Sequence, residues 1–160
     1  MKKWFALWLT LFLSSSGHAW GPLGHEVPAE IAERWLSDMS RVMLADLVPE
    51  ESLAGISTWA DRKRSDPDPY WQKTAKPYHY VTVPDGKTYS EEMAPNKGDA
   101  VTALYRFRKI LTDPNSSHQS KQLALRFSVH IVGDLHQPLH VGNGKDLGGN
   151  KVKVEHLGKS

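Results

Sequence analysis

The segment 128–140 contains the side chains best suited to chemistry. His130 and Asp134 are four residues apart, so in a helix they project from the same face. Pro138 has no N–H to donate and ends that helix, so His140 approaches from a different direction. Two imidazoles and a carboxylate that converge around a helix end are a typical start of a divalent metal site.

A His-x-x-x-Asp pair can also be a surface hydrogen-bonding pair, and the histidines of this segment can occur together by chance. The intervening residues, however, are apolar and indicate burial; they are Val129, Ile131, Val132, Leu135 and Leu139. A buried carboxylate needs a counter-charge, which a metal ion would supply. Because the chain contains no cysteine, imidazole, carboxylate and backbone atoms are the available ligands.

Residues 1–19 have the pattern of a secretory signal peptide. Lys2 and Lys3 precede an apolar run over residues 4–13, and small residues follow at Gly17 and Ala19. The alternative is a short membrane anchor, but the run is too short to span a bilayer comfortably. We therefore predict cleavage after Ala19, a mature chain that starts at Trp20, a secreted or periplasmic location and no stable membrane association.

The composition is that of a soluble globular domain. The 160 residues include 24% charged residues, and the mean hydropathy is −0.49. The 20 basic residues exceed the 18 acidic ones only through the two lysines of the predicted leader. The mature chain is then formally neutral, so any attraction for nucleic acid must be local.

Hydrophobic periodicity predicts a mainly α fold. Apolar stripes at helical spacing favour helices over residues 26–37, 41–47, 50–64, 99–112 and 120–135. Alternating β-branched and aromatic residues favour minor short strands at 77–83 and 151–155. Residues 65–70 are a predicted loop, and residues 141–149 are glycine-rich. Candidate ligands therefore fall at helix ends or beside extended segments, where they can point into one cleft.

Five motifs, in order, make the chain resemble the secreted zinc-dependent nucleases of the S-one/P-one type, within the nuclease and phospholipase C superfamily. The motifs are Trp20-Gly-x-x-Gly-His25, Trp59-Ala-Asp61-x-x-Arg64, Tyr78-His79-Tyr80, His130-x-x-Gly-Asp134-x-x-Gln-Pro-Leu-His140 and Gly148-Gly149-Asn150-Lys151. The resemblance covers residues 20–160 and implies a single helical nuclease domain. It further implies hydrolysis of single-stranded DNA or RNA to 5′-phosphate products, with 3′-nucleotidase activity as a further candidate.

The resemblance also implies three zinc ions in a cleft. The first ion would be held by Asp61, His79, His130 and Asp134. Asp134 would bridge to a second ion, which would also bind His25 and the amine and carbonyl of Trp20. The third ion would take His140. Phosphodiester hydrolysis agrees with this set, because metal ions activate water and stabilise charge on the phosphate and the leaving oxygen.

Two residues are candidates for direct catalysis and one for substrate binding. Arg64 would stabilise charge on the phosphate, and Asp61 is assigned to catalysis as well as to metal binding. Tyr80 offers a face on which a base of a single strand can stack, although a core tyrosine is an equally open interpretation. We expect a monomer with single-stranded nucleic acid as its substrate.

The sequence departs from the family pattern at its C-terminal side. The family's third zinc site uses a second His-x-x-x-Asp motif beyond the position of Gly158, and the present sequence stops at Ser160. We therefore expect an incomplete third site, exposed apolar faces and a chain equivalent to the first half of a family member. Two alternatives stay open: a phospholipase C with the same fold and metal cluster, and a non-catalytic zinc-binding remnant.

Overall fold

The computed structural model describes residues 20–148 and 151, and over these ranges the chain is built from helices. The six α-helices are α1 (Pro22–Arg34), α2 (Asp38–Leu47), α3 (Leu53–Ser57), α4 (Trp59–Lys63), α5 (Ala100–Thr112) and α6 (His118–Leu135). Tyr70–Thr74 forms a π-helical turn, and Lys76–His79, Glu91–Met93 and Pro138–Val141 form 3₁₀ turns. The predicted mainly α fold is confirmed.

Helix α6 lies at the centre and separates two apolar cores. On one side it packs against α5, where Phe127 stacks on Phe107 with ring centroids 4.7 Å apart and Tyr78 meets both rings edge-on. On the other side it meets α1 and α3. The second core contains Ala29, Val48, Leu53 and Ile56, with Leu125 and Val129 of α6 against it. This central place lets α6 carry ligands toward elements on both sides.

Side-chain caps explain where the longer helices begin. The hydroxyl of Ser117 accepts a hydrogen bond from the Ser120 backbone N–H, so α6 starts at His118, two residues before the predicted boundary. Asp99 and Thr102 form a reciprocal capping box at the start of α5. The predicted helix over 99–112 is therefore confirmed almost to the residue.

The predicted continuous helix over 50–64 is wrong, because the chain breaks at Thr58. The break separates α3 from α4, and Thr58 has φ −96° and ψ 3°. The Ser57 hydroxyl donates to the carbonyl of Ala54 at 2.7 Å, and such local side-chain bonds compete with regular helix. As a result, the direction of α4, and not that of α3, determines how Asp61 approaches the site.

The predicted minor strand over 77–83 is also wrong, and the described residues contain no strand. Residues 76–79 form a 3₁₀ turn, and only the following residues are extended. Val81 N–H donates to the His140 carbonyl at 2.8 Å, and Val83 N–H donates to the Gly142 carbonyl at 3.0 Å. Two bonds make too short a ladder for a strand, but they hold His79 and His140 near each other. Residues 152–155 of the second predicted strand lie outside the described residues.

The apolar stripe of α1 does not face the core. Val27, Ile31 and Trp35 are exposed, Trp35 by 84%, whereas His25 and Ala29 are the buried residues of this helix. This exposed face agrees with the expectation of uncovered apolar surface. Among the helices of residues 20–148, none combines the length and the apolar character needed to cross a membrane.

Candidate metal centre

The predicted ligands meet where three helices and two turns converge. Helix α6 carries His130 and Asp134, α4 carries Asp61, α1 carries His25, and the 3₁₀ turns carry His79 and His140. These side chains come from positions as far apart as 25 and 140. The chain fold, rather than local sequence, therefore brings them together.

His79, His130 and Asp134 form one buried group. The His130 Nε2 atom lies 2.8 Å from His79 Nδ1 and 2.9 Å from Asp134 Oδ2, and His79 Nδ1 lies 3.1 Å from the same oxygen. Asp61 Oδ1 lies 3.8 Å from both ring nitrogens. Tetrahedral zinc with bonds of about 2.0–2.1 Å places its ligand atoms about 3.3 Å apart. The four side chains therefore fit one zinc ion.

A second group adjoins the first and uses the other oxygens of the two carboxylates. His25 Nε2 lies 3.5 Å from Asp134 Oδ1 and 3.7 Å from Asp61 Oδ2. His25, Asp61 and His130 together form a second set of ligand atoms close enough to hold a metal ion. Asp134 thus has one oxygen toward each group, as a bridging ligand requires. Asp61 likewise has Oδ1 toward the first group and Oδ2 toward His25. The sequence did not indicate this second bridging carboxylate.

His140 reaches the same carboxylate. Its Nδ1 atom lies 3.0 Å from Asp134 Oδ1, the oxygen that also faces His25. The side-chain oxygen of Gln137 accepts from the Leu139 backbone N–H and caps the 3₁₀ turn that carries His140. The resemblance assigns His140 to a separate third ion, and in the structure it stands at the edge of the second group.

The electrostatics of the centre suit a bound cation. Burial raises the pKa of Asp134, but hydrogen bonds from His130, His140 and His79 outweigh it and hold that pKa well below its ordinary value. The carboxylate is therefore ionised although it is 1% exposed. A charge buried to this degree must be compensated, and the surrounding imidazoles do so only in part.

The three central imidazoles respond differently to this environment. Burial, with a contribution from neighbouring His130, lowers the pKa of His25 and of His79, so both favour the neutral form that ligates metal. Burial also opposes protonation of His130, but its bond to Asp134 raises the pKa of His130 overall. The negative field that stabilises a proton on His130 would equally attract a metal ion.

The Ser57 backbone carbonyl is a site component that sequence reasoning missed. It lies 2.7 Å from Nδ1 of His130, and it is oriented by the break at Thr58. Metal-binding histidines are usually held in this way by a partner on the other ring nitrogen. No sequence signal identifies it, because a carbonyl group belongs to every residue and only the chain path selects this one.

A cleft of about 510 Å³ opens beside the centre. Its walls include His79 and His140 together with Arg64, Lys76 and Tyr80. Arg64 is 59% exposed in its side chain, and its Nη1 atom lies 3.4 Å from Asp61 Oδ1. Lys76 was not singled out from the sequence, although a lysine three residues before a ligand histidine is a signal that could have been weighed.

The two tyrosines that flank His79 have opposite environments. Tyr78 is 1% exposed and belongs to the aromatic core, whereas Tyr80 is 42% exposed and lines the cleft. The core interpretation therefore applies to Tyr78 and not to Tyr80. Tyr80 has an accessible ring next to the metal ligands, as base stacking would need.

Trp20 lies beside the second group. Its indole ring meets the imidazole of His25 edge-on, with centroids 5.8 Å apart and planes at 76°. His25 also stacks on His130 at 4.3 Å. The first residue of the predicted mature chain thus lies next to a predicted ligand of the second ion.

Comparisons with known proteins agree with this geometry. The S1/P1 Nuclease family model matches residues 20–160. The chain is 33% identical to Nuclease S1 of Aspergillus oryzae over 94% of its length, and 31% identical to Endonuclease 2 of Arabidopsis thaliana over 92%. Nuclease P1 of Penicillium citrinum is 29% identical over 84% of this chain. The chain spans about half the length of these relatives, between 52% and 54%.

The family match covers every residue of the buried centre, and the His/Asp groups fit a zinc site of this family. On the sequence match and on the site it covers, the chain belongs to the S1/P1 nuclease family.

Proposed function

We propose that this chain is a zinc-dependent nuclease that hydrolyses phosphodiester bonds of single-stranded DNA or RNA and leaves 5′-phosphates. The observation that supports it best is the pair of adjacent buried ligand groups that share the Asp134 and Asp61 carboxylates. Two neighbouring cations are a recurrent solution for phosphodiester hydrolysis. The relatives are named as nucleases and endonucleases.

The roles of the residues follow from their positions. His79, His130, Asp134 and Asp61 would hold one ion, and His25 would hold the neighbouring ion through the shared carboxylates. Zinc bound there would supply Lewis-acid activation of water and neutralisation of phosphate charge. Arg64 lies at the mouth of the cleft, next to Asp61, so its guanidinium can pair with a phosphate and stabilise the charge that develops on it.

Tyr80 and Lys76 support a single-stranded substrate. A base must be unpaired to stack on a ring, and the exposed face of Tyr80 lies in the same cleft as the ligands. Lys76 adds a positive charge to this cleft, which suits the phosphate backbone of the strand. A 3′-nucleotidase activity would use the same residues on a mononucleotide, if the base stacked on Tyr80 and the scissile phosphate held at the centre belong to one nucleotide.

The two ligand groups of the described residues would hold two neighbouring ions. His140 provides one imidazole, and a zinc site ordinarily needs three or four protein ligands. The third ion that the resemblance implies would therefore need further ligands.

The test is a cleavage assay on a single-stranded oligonucleotide with zinc, with a chelator, and with a variant that lacks Asp134. We expect zinc-dependent cleavage with products that a ligase accepts, because ligation requires a 5′-phosphate. Phosphatidylcholine is assayed in parallel. Hydrolysis of the lipid alone would favour the phospholipase C interpretation, and zinc binding without turnover of either substrate would favour the non-catalytic remnant.

We further propose that export assembles the second ion site. The predicted cleavage after Ala19 would free the amine of Trp20, a residue whose indole ring meets the His25 imidazole edge-on, and only a free, unprotonated amine can ligate zinc. The experiment compares a chain that starts at Trp20 with one that keeps two extra residues. Loss of one zinc ion in the extended chain is expected, and equal zinc content in both would contradict the proposal.

A further inference from the structure

The His25 imidazole occupies the space that a side chain at Gly133 of α6 would need. A Cβ atom at position 133 would lie 2.7 Å from His25 Nδ1, 3.4 Å from Cε1 and 3.8 Å from Cγ. Real Cβ atoms essentially never approach a nitrogen this closely. Any residue other than glycine at this position would therefore have to displace the imidazole.

His25 has little room to be displaced. It is 3% exposed, and its ring stacks on His130 at 4.3 Å with an interplanar angle of 19°. The Trp20 ring meets it edge-on from another direction. The imidazole thus rests between two rings and the α6 backbone, and a methyl group on the backbone side would push it away from that position.

The orientation of His25 depends on this contact. Its Nδ1 atom is buried without a hydrogen-bond partner, so no polar side chain or carbonyl fixes the ring in the way that Ser57 fixes His130. The two ring nitrogens lie on different edges of the imidazole. With Nδ1 seated against Gly133, Nε2 points toward Asp134 Oδ1 and Asp61 Oδ2.

We propose that Gly133 is a positioning residue of the metal centre: its missing side chain seats His25 on α6 and aims Nε2 at the two shared carboxylates. A glycine inside a long helix is otherwise less favourable than alanine. Its place between the ligands His130 and Asp134 therefore needs a reason in packing or function, and the close approach of His25 provides one.

The proposal predicts that the effect of one substitution changes sign with the residue at position 25. In the unaltered chain, Gly133→Ala should lower the melting temperature, because the methyl group clashes with the imidazole. In a His25→Ala chain the clash is gone, and the same substitution should raise the melting temperature through helix propensity. Both melting temperatures are measured on chelated protein, so this readout needs neither zinc nor substrate.

The second readout is zinc per chain. Gly133→Ala should lose one ion, the one bound through His25, and keep the ion held by His79 and His130. Gly55→Ala is the matched control: it is also a helical glycine, but its Cβ would meet its nearest neighbour, Ser52 Oγ, at an ordinary 3.4 Å. It should keep the full zinc content of the unaltered chain.

The proposal rests on the metal centre of the proposed function and not on its substrate, so an inactive chain leaves the test intact. A rise in melting temperature with full zinc content in Gly133→Ala would overturn it. It would also be overturned if Gly133→Ala lowered the melting temperature by the same amount in the unaltered chain and in the His25→Ala chain. If Gly133→Ala fails to fold, the double variant decides: folding of His25→Ala/Gly133→Ala supports the proposal, and failure of both overturns it.

Discussion

The backbone carbonyl oxygen of Ser57 lies 2.7 Å from Nδ1 of His130. Because a carbonyl can only accept a hydrogen bond, Nδ1 must carry a proton, and Nε2 is the atom left for ligation. That atom faces His79 and Asp134. The break between α3 and α4 therefore contributes directly to the centre, since it sets both the Ser57 carbonyl and the direction from which Asp61 arrives.

Asp134→Asn should disrupt both ligand groups, because Asp134 has one oxygen toward each. Loss of a residue that only hydrogen-bonds to a metal ligand weakens metal binding about 10–100-fold. Removal of a ligand shared by two ions should therefore weaken zinc binding by more than about 100-fold. Competition with a chromogenic chelator measures the change. Asp85→Asn is the control, since Asp85 is exposed and pairs with Lys145. Unaltered zinc affinity in Asp134→Asn would exclude the bridging role.

Arg64→Ala should slow turnover without loss of zinc. Its guanidinium contacts Asp61 but is not part of either ligand group. Removing one donor to a developing oxyanion typically costs about 10²–10³ in kcat. Arg64→Lys should restore part of the rate, because lysine keeps the charge but not the bidentate geometry of the guanidinium.

The control is Arg34→Ala, which breaks an exposed pair with Glu30 and should change neither turnover nor zinc content. A parallel fall in zinc content would mean that Arg64 acts on the metal site instead.

Tyr80→Ala should weaken substrate binding. Stacking of one base on an aromatic ring contributes about 1–3 kcal/mol, so KM for a single-stranded oligonucleotide should rise about 5–150-fold with little change in kcat. Tyr80→Phe should bind normally, because the ring rather than the hydroxyl makes the contact. Tyr105→Ala removes a similarly exposed tyrosine from α5 and serves as the control. Equal KM values for Tyr80→Ala and the unaltered chain would argue against stacking.

Glu51→Gln should show a pH-dependent loss of stability. Both Glu51 carboxylate oxygens accept from Arg126, one of them at 3.1 Å, and this bond with Arg126 lowers the pKa of Glu51. A lowered folded-state pKa adds stability above the unfolded value, and that stability is lost as the pH falls through the folded value. The pair is partly exposed and screened, so the effect should stay below about 1 kcal/mol.

Thermal melts of Glu51→Gln and the unaltered chain at about pH 7 and about pH 3 check this expectation. The difference in melting temperature should be largest at neutral pH, become smaller at the lower pH and shrink in high salt. Glu30→Gln, which breaks an exposed pair within α1, is the control. A difference of the same size at both pH values would show that Glu51 acts through packing.

The sequence alone was sufficient where the determinants are local. The four-residue spacing of His130 and Asp134 put both on one face of α6, and the apolar periodicity over 99–112 placed α5 almost to the residue. The mainly α class followed from the same periodicity. These features depend on residues within one or two turns of each other, so a linear pattern contains all the information they need.

Tertiary structure decided what depends on the chain path. The apolar residues Val27, Ile31 and Trp35 are exposed, whereas α1 turns His25 inward, because the site and not these apolar residues meets α6. The Ser57 carbonyl likewise reaches the site from a position 73 residues before its partner on α6.

The pairing of individual ligand atoms also belongs to the tertiary structure. Asp61 is divided between both ligand groups, and His140 turns back toward Asp134 after the end of α6. From the sequence, spacing singled out His130, Asp134 and His140, and the other ligands were implied by the family resemblance. Packing around α6 selected which oxygen faces which nitrogen, since such pairings exist only after distant helices and turns have met.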